Sequence, residues 1–473
     1  MQSINSRIER IPDNGYNKKL LGQTGIGYLF DALDGTMLSF TLPVITALWA
    51  LTSHQTGILA SSLFVGYLFG TAFSGYLGDR FGRKNVIMWT LVIYCVATMA
   101  SALATNWEFF FWARVVAGFG TGGEAAIMAP YLAELISSKY RGRYTSLLTG
   151  FFPLGHISAA ALSYFIIPVS DNGWRIALFV TALPIFMFII WRRTLPESPL
   201  WLESKGRYKE ADEAMTRIEI AAENSLKYKL PKPEKNTSVS SIIEDKKFKK
   251  DSFLTLFSKK YIRRTIMLWV VWFSLVYTNF GFLTWLPSLL VNQGYEIASS
   301  FIFSLLIYAS QIPGYITGAI LNDKLGRKPV LLIGMAGATI AALGMANFAN
   351  SAVTIITFGG LMSMFMSIGY SVLYTYTPEQ FPTSIRATGM GATSAFSRVG
   401  GILAPIVIGY IYPLYGFSGV FIMITAILII GTLTVMILGK ETKAKSLEEV
   451  EVVYKDGMVS NSQEKDHEKT IGK

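Results

Sequence analysis

Gly75-Tyr76-Leu77-Gly78-Asp79-Arg80-Phe81-Gly82-Arg83-Lys84 lies between two apolar runs, 57–76 and 86–104. Each run is long enough to cross a bilayer core of about 30 Å. The connection holds Arg80, Arg83, Lys84, one carboxylate at Asp79 and a turn glycine. It returns downstream as Ala319-Ile320-Leu321-Asn322-Asp323-Lys324-Leu325-Gly326-Arg327-Lys328, with Asp323 following Asp79 by 244 positions. A second pattern, Tyr131-x-x-Glu134 then Arg141, returns as Tyr376-x-x-Glu379 then Arg386, and Glu134 to Glu379 is 245 positions. Two unrelated patterns repeating at nearly one offset mark an internal duplication in a membrane-spanning chain.

Composition agrees. Hydrophobic residues make up 51% of the 473-residue chain and charged residues only 15%, against about 25% charged in soluble domains. The apolar residues fall in about twelve blocks of roughly bilayer length. Lipid offers the backbone no hydrogen bonds, so each block must be helical. The expected fold class is an all-α membrane protein of about twelve transmembrane helices in two pseudo-symmetric six-helix halves. The polar start, with Ser3, Asn5, Arg7, Glu9 and Arg10, has no cleavable signal pattern, so the first span is retained. The single cysteine, Cys95, sits in an apolar run and reads as packing.

The net charge of +11 does not gather on one folded face, as nucleic-acid binding would require. Its cations occupy alternate loops: Arg7 to Lys19, Arg80 to Lys84, Lys139 to Arg143, a long basic stretch at 203–264, Lys324 to Lys328, Arg386 and the tail. The opposite loops are nearly free of Lys and Arg, Arg175 excepted. The positive-inside rule then puts both termini in the cytoplasm of a multi-pass plasma-membrane protein. The domain plan has a cytoplasmic segment 1–19, a first six-helix half 20–202, a cytoplasmic linker 203–264, a second half 265–439 and a cytoplasmic tail 440–473. The expected spans include 20–47, 145–168, 176–191, 387–410 and 419–438. Leu195-Pro196-Glu197-Ser198-Pro199 is expected to break the helix twice, and 203–221 to form a surface helix.

Charges inside a span are costly and usually face a cavity. Asp31 and Asp34, spaced i,i+3, share a face of span 1. Two such acids in low dielectric cannot easily both ionise, which suits proton coupling; the plainer reading is a structural ion pair. Glu124 of span 4 joins them as a proton-coupling candidate. It lies ten residues from Arg114, about 15 Å along a helix, too far to pair directly. Arg398 is the cation well inside the second half, and its fork suits a carboxylate. Subtracting the repeat offset takes Arg398 to Pro153, Asp34 to Asn279 and Glu124 to Gly369, so acids mark the first half and a cation the second. A pocket between the halves would then have an acidic and a basic wall. Asn279, Trp272, Tyr370 and Tyr374 complete the candidate substrate-binding set. His156 is read as a structural donor.

The recurring charged motifs read as a conformational latch: Gly75, Asp79, Arg80, Arg83, Glu134 and Arg141, echoed by Asp323, Lys324, Arg327, Glu379 and Arg386. Asp79 is placed to meet the positive N-terminus of a neighbouring helix, while the cations pair with Glu134 or Glu379. Such exposed pairs are individually weak, which suits a contact that opens and closes. Gly66/Gly70, Gly118/Gly122 and Gly314/Gly318 are read as close helix packing. There is no phosphate-cradling Gly-rich loop ending in Lys-Ser/Thr, no metal-spaced cluster and no filter-like loop. The chain is therefore read as neither an enzyme nor an ATP-driven pump, with no cofactor or metal.

The paired Gly-x-x-x-Asp-Arg-x-Gly-Arg-Lys motif and the span count resemble the major facilitator superfamily over essentially the whole chain. Arg114 through Glu124, Leu195 through Trp201 and Tyr376 through Gly389 are similar to its sugar-porter and organic-ion branches. That resemblance implies alternating access by two rocking halves. Gly27-Tyr-Leu-Phe-Asp31-Ala-Leu-Asp34, Tyr374 through Pro382 and Phe396-x-Arg398-x-Gly400-Gly401 resemble bacterial nicotinate importers, and Asp-x-x-Asp also resembles aromatic acid–proton symporters. In organic-anion members an arginine in span 11 meets the substrate charge. The glutamine-rich span 7 of sugar porters is replaced here by Trp272, Asn279 and Trp285. The glycine-proline pattern of drug antiporters is reduced to Gly150-x-x-Pro153-x-Gly155.

The expectation is a proton-coupled importer of a small organic monocarboxylate, nicotinate first. Its partners would be the acid, a proton and the lipid bilayer, with no nucleic acid and function as a monomer. The alternatives are a proton-coupled sugar symporter, a solute exporter, or a non-transporting membrane sensor on the same fold.

Overall fold

The computed structural model describes residues 3–231, 253–381 and 385–443, the side chain of residue 387 excepted. Among the described residues the regular structure is all helical. The first part of the chain forms α1 (Ile4–Glu9), α2 (Gly15–Leu48), α3 (Ser53–Phe81), α4 (Arg83–Ala102), α5 (Trp107–Leu135), α6 (Ser138–Thr149), α7 (Phe151–Ile166), α8 (Gly173–Thr181), α9 (Met187–Thr194), α10 (Pro199–Ser204) and α11 (Tyr208–Leu226). The later part forms α12 (Ile262–Asn292), α13 (Ile297–Ala309), α14 (Gln311–Leu325), α15 (Arg327–Phe348), α16 (Ala352–Glu379) and α17 (Arg386–Leu438).

Nine helical stretches among the described residues are long and apolar enough to cross a membrane. One, Thr388–Leu438, is two spans end to end, broken where Gly416 takes φ +64°. The helices α2 and α5, of 34 and 29 residues, carry the buried charges and complete the set of twelve. The chain is an integral, multi-pass membrane protein.

The quoted stretch is not a loop. Helix α3 runs to Phe81 and α4 starts at Arg83, with Gly82 alone between them at φ +101°. Gly326 repeats this between α14 and α15 at φ +97°. A side chain at such a φ is strained, which explains a glycine in both copies.

The chain gathers into two compact units. One comprises Met1–Lys246, Phe280–Ala309 and Ile402–Leu414; the other comprises Lys247–Asn279, Ser310–Gly401 and Tyr415–Lys473. Within the first, α3 crosses α5 backbone to backbone. Gly66 and Gly70 face the carbonyls of Val115 and Phe119, and a Cβ on Gly122 would stand 2.5 Å from Tyr67 O. The same unit packs Phe64 on Phe280 with ring centres 4.3 Å apart and Phe40 on Phe301 at 5.0 Å. Gly57 meets Pro405 and Gly409 there. These contacts lie toward the ends of α2 and α3 remote from the charged motif. In the second unit Gly314 and Gly318 press α14 onto Met364, Ser367 and Ile368 of α16. The small-residue spacing is helix packing.

Several boundaries differ from the sequence reading. The region of span 5 is two helices, because α6 starts at Ser138 and yields to α7 at Gly150. Span 6 is interrupted by a 3-10 turn holding Pro184. Pro199 does not break a helix; it opens α10 at a position whose N–H has no helical partner, behind a Ser198 cap. The surface helix is Tyr208–Leu226, displaced toward the C-terminus from 203–221, because α10 takes the earlier residues.

The N-terminal segment is built into the first unit. Ile4, Ile8 and Ile11 are buried in its core, and α11 turns Ala211, Met215, Ile218 and Ala222 inward. Arg7 pairs with Asp212 and Glu219, and Arg10 also reaches Glu219. Glu9 accepts the Ser138 N–H at 3.0 Å, at the start of α6. Burial lifts the Glu219 carboxyl, but hydrogen bonds from Arg7 and Arg10 outweigh it and hold the group below the usual carboxylate range.

Candidate functional site

Asp34 is fully buried and fully occupied. Its Oδ2 accepts from Arg114 Nη2 at 2.7 Å. Its Oδ1 accepts from the Thr98 hydroxyl at 3.0 Å and the Thr181 hydroxyl at 3.1 Å. Arg114 Nη2 also donates to Thr98 at 3.1 Å, and both ion-pair side chains are 0% exposed. Four helices converge here: α2, α4, α5 and α8. Charge-assisted bonds of this kind are what make a buried ion pair tolerable.

Asp31, one turn earlier on α2, has a different environment. It is buried, and neither carboxylate oxygen has a hydrogen-bond partner; the same holds for both oxygens of Glu124 on α5. The two acids interact electrostatically. Glu124 lies against the α2 backbone, where a Cβ on Gly27 would stand 2.7 Å from its Oε1. The Tyr94 hydroxyl on α4 is also buried without a hydrogen bond. The i,i+3 acids differ in their hydrogen bonds: Asp34 is paired with Arg114, while Asp31 has no donor and interacts electrostatically with both Glu124 and Asp34. Thr98, Thr181 and Tyr94 escaped the sequence reading, since an isolated hydroxyl in an apolar span carries no periodic signal. His156 of α7 has its ring 6.1 Å from Tyr308, and the adjacent Gly155 abuts Leu29 and Ala32 of α2.

The second unit holds the cation and the aromatics. The Trp272 ring meets Tyr374 edge-on with centres 5.1 Å apart and Tyr370 at 6.2 Å. Its indole N–H donates to Thr377 Oγ1 at 2.8 Å, which fixes the ring. The half-buried Arg398 acts electrostatically on both tyrosine hydroxyls. Tyr315 of α14, absent from the sequence reading, joins the same cluster. Asn279 is half-buried on α12, seven residues and about two turns beyond Trp272, hence on a similar side.

The charged motifs are built alike in the two units. Arg83 pairs with Asp79 at 2.6 Å and with Glu134 at 3.3 Å; Arg327 pairs with Glu379 at 2.8 Å. The carboxylate at the N-terminus of α4, however, is Glu197 rather than Asp79: it accepts the Lys84 N–H at 3.1 Å. Glu441 does the same for α15, accepting Arg327 N–H at 3.0 Å and Lys328 N–H at 2.9 Å. Tyr131 donates to Pro196 O and Tyr376 to Lys440 O. Lys84 Nζ donates to Arg192 O and Lys328 Nζ to Met436 O. Glu197 to Glu441 is 244 positions, the offset of the asparates of the motif, so a third echo was present and unread. Burial pushes the Glu197 carboxyl up against its backbone donors, whereas at Glu441 the backbone donors outweigh burial and hold it down.

Other members of the expected set lie off this network. Gly75 has open space where a Cβ would stand. Arg80 donates to the Tyr76 hydroxyl at 3.3 Å. Arg141 is 4.0 Å from Glu9 of the N-terminal arm, and Arg386 donates to Phe381 O at 3.4 Å. Asp323 acts electrostatically on Arg327, and the Lys324 carbonyl accepts from Lys443 Nζ at 2.7 Å. No group of three potential metal ligands occurs among the described residues.

Twelve spans, a duplicated charged motif and buried ionisable groups in the spans define a secondary membrane transporter of the major facilitator type. The chain belongs to the sugar (and other) transporter family, whose model matches residues 14–454. It is 40% identical to the niacin transporter NiaP of Acinetobacter baylyi over 94% of this chain and 99% of that one. It is 34% identical to the putative niacin/nicotinamide transporter NiaP of Bacillus subtilis, over 91% and 98%. Among solved structures, the partially occluded inward-open xylose transporter XylE of E. coli matches with a TM-score of 0.74 at 18% identity, covering 91% of this chain and all of that one.

Proposed function

We propose that this protein is a proton-coupled importer of a small organic monocarboxylate, with nicotinate as the substrate of choice. The observation that carries the reading is a cation, Arg398, in electrostatic reach of Tyr370 and Tyr374, which pack on Trp272. A planar ring with one carboxylate matches a fork donor next to aromatic faces. The relatives named as niacin transporters support it. Asp31, Asp34 and Glu124 form the proton-coupling region, and the two charged motifs act as latches in an alternating-access cycle. The cation-rich connections favour a plasma-membrane orientation with both termini cytoplasmic.

The test is uptake of labelled nicotinate into proteoliposomes with an acidic exterior, with and without a protonophore. Unlabelled benzoate, nicotinamide and hexose serve as competitors. Gradient-dependent uptake competed by acids supports the proposal. Counterflow with a hexose and none with nicotinate transfers the assignment to a sugar symporter, the reading favoured by the xylose-transporter fold match. Movement of nicotinate only outward indicates an exporter, and no movement of any solute favours a sensor.

A further inference from the structure

The first unit contains four buried carboxyl or guanidinium side chains from α2 and α5 in two unequal arrangements. Asp34 and Arg114 cancel each other's charge, and both Asp34 oxygens accept from the guanidinium, whose Nε alone is left without a partner. Asp31 and Glu124 satisfy nothing: four carboxylate oxygens are buried without a donor. Two ionised carboxylates facing one another in a low-dielectric interior repel, and neither has a cation or N–H to offset desolvation.

We propose that Asp31 and Glu124 hold one proton between them and form the titrating unit, while Asp34, locked to Arg114, keeps its charge through the cycle and acts as a positioning residue. This rests on the proton-coupled reading and deepens it by dividing its three acids into two roles. Other groups do not supply the missing charge. Facing from α4 are Tyr94 and Cys95, both neutral in ordinary conditions and both in electrostatic contact with the acids. Tyr28 of α2 donates its hydroxyl to Ala125 O at 3.0 Å, and Arg114 is taken by Asp34. From α7, His156 lies by Tyr308. Arg175 of α8 donates to Ala102 O at 2.6 Å and lies over Trp174. The α3 face contributes the uncharged Ser74, whose hydroxyl is also unbonded. A sodium ion would need several further oxygens, such as carbonyls freed by an unwound helix; α2 and α5 are continuous from Gly15 to Leu48 and from Trp107 to Leu135. The occupant is therefore a proton.

The test has a substrate-free arm. Infrared difference spectra of the purified, lipid-reconstituted protein, recorded as pH is raised, report loss of protonated carboxylic C=O absorbance. The expected result is a band that disappears with deprotonation in wild type, is shifted in Asp31→Asn, in Glu124→Gln and in Glu124→Asp, is lost in the double variant Asp31→Asn with Glu124→Gln, and persists in Asp34→Asn. A band lost only in Asp34→Asn, or no titrating band in wild type, overturns the proposal; so does a band abolished by sodium at constant pH. In the transport arm, Asp31→Asn and Glu124→Gln should exchange nicotinate across the membrane at a rate independent of pH, with acid-driven accumulation lost. If wild type carries no nicotinate the substrate reading fails, and the infrared arm still decides the acid pair.

Discussion

Removing the Asp34 charge should be far more damaging to stability than removing that of Asp31, although the residues are one turn apart. Asp34→Asn keeps an oxygen for Thr98 and Thr181 but leaves Arg114, 0% exposed, without its counter-charge. Breaking a buried pair from one side costs about 3–5 kcal/mol. Replacing both members with uncharged side chains removes the orphaned charge and is often neutral. Asp34→Asn, Arg114→Met and the double variant therefore form a cycle in which the double variant costs far less than the two single losses added, a coupling of at least about 3 kcal/mol. The assay is equilibrium unfolding in mixed micelles, followed by thiol labelling of Cys95, the single cysteine, which is wholly buried in α4. Losses that simply add would show that the pair contributes no mutual stabilisation and would refute the account of Asp34 as a locked group. Asp31→Asn, measured alongside, should be neutral or stabilising, since it removes an unsatisfied buried charge.

Other outcomes follow from single features. Arg398→Ala should remove a charge-assisted contact of about 1.5–3 kcal/mol, roughly 10- to 100-fold in nicotinate affinity, with Cys95 protection unchanged; equal affinity for nicotinate and nicotinamide in wild type would contradict the anion role. Gly82→Ala, forced to φ +101° beside Glu197, should cost about 1–2 kcal/mol, while Gly75→Ala, with open space around it, should stay within about 0.5 kcal/mol; melting curves compare them. Glu219 is held below its unfolded value, so its contribution is full above about pH 4.3 and is lost as pH falls through the folded value. Amide exchange at residues 4–11 should accelerate over that acid range, and Arg7→Ala should produce the same acceleration at neutral pH.

The duplication made the fold legible. Two motifs at one offset, with apolar blocks of bilayer length, were enough for the twelve spans and for motif cations meeting Glu134 or Glu379; the structure shows these to be Arg83 and Arg327. Helix breaks were less legible: lipid tolerates a turn at Gly150 or Ser310 when neighbouring helices satisfy the backbone, so hydropathy continues across it. At the site, residue type identified Asp31, Asp34, Glu124 and Arg398. The division of the acids was hidden, because what separates Asp31 from Asp34 is Arg114, 80 positions beyond Asp34, and hydroxyls on two further helices. Glu197 and Glu441 were readable in principle, but short segments of different sequence surround them. The capture of the N-terminal arm had no sequence signature, since Arg7 among exposed-looking residues resembles any topological cation.

That capture also bears on how the protein is made. Arg7 waits for Glu219, 212 residues later, so the arm is made long before the helix that holds it. At about 5–20 residues per second, the arm spends roughly 10–40 s without its partner while six spans enter the bilayer. A bulky fusion ahead of Ile4 would meet the newborn chain at that step, and its penalty would fall on the yield of inserted protein before any transport could be measured.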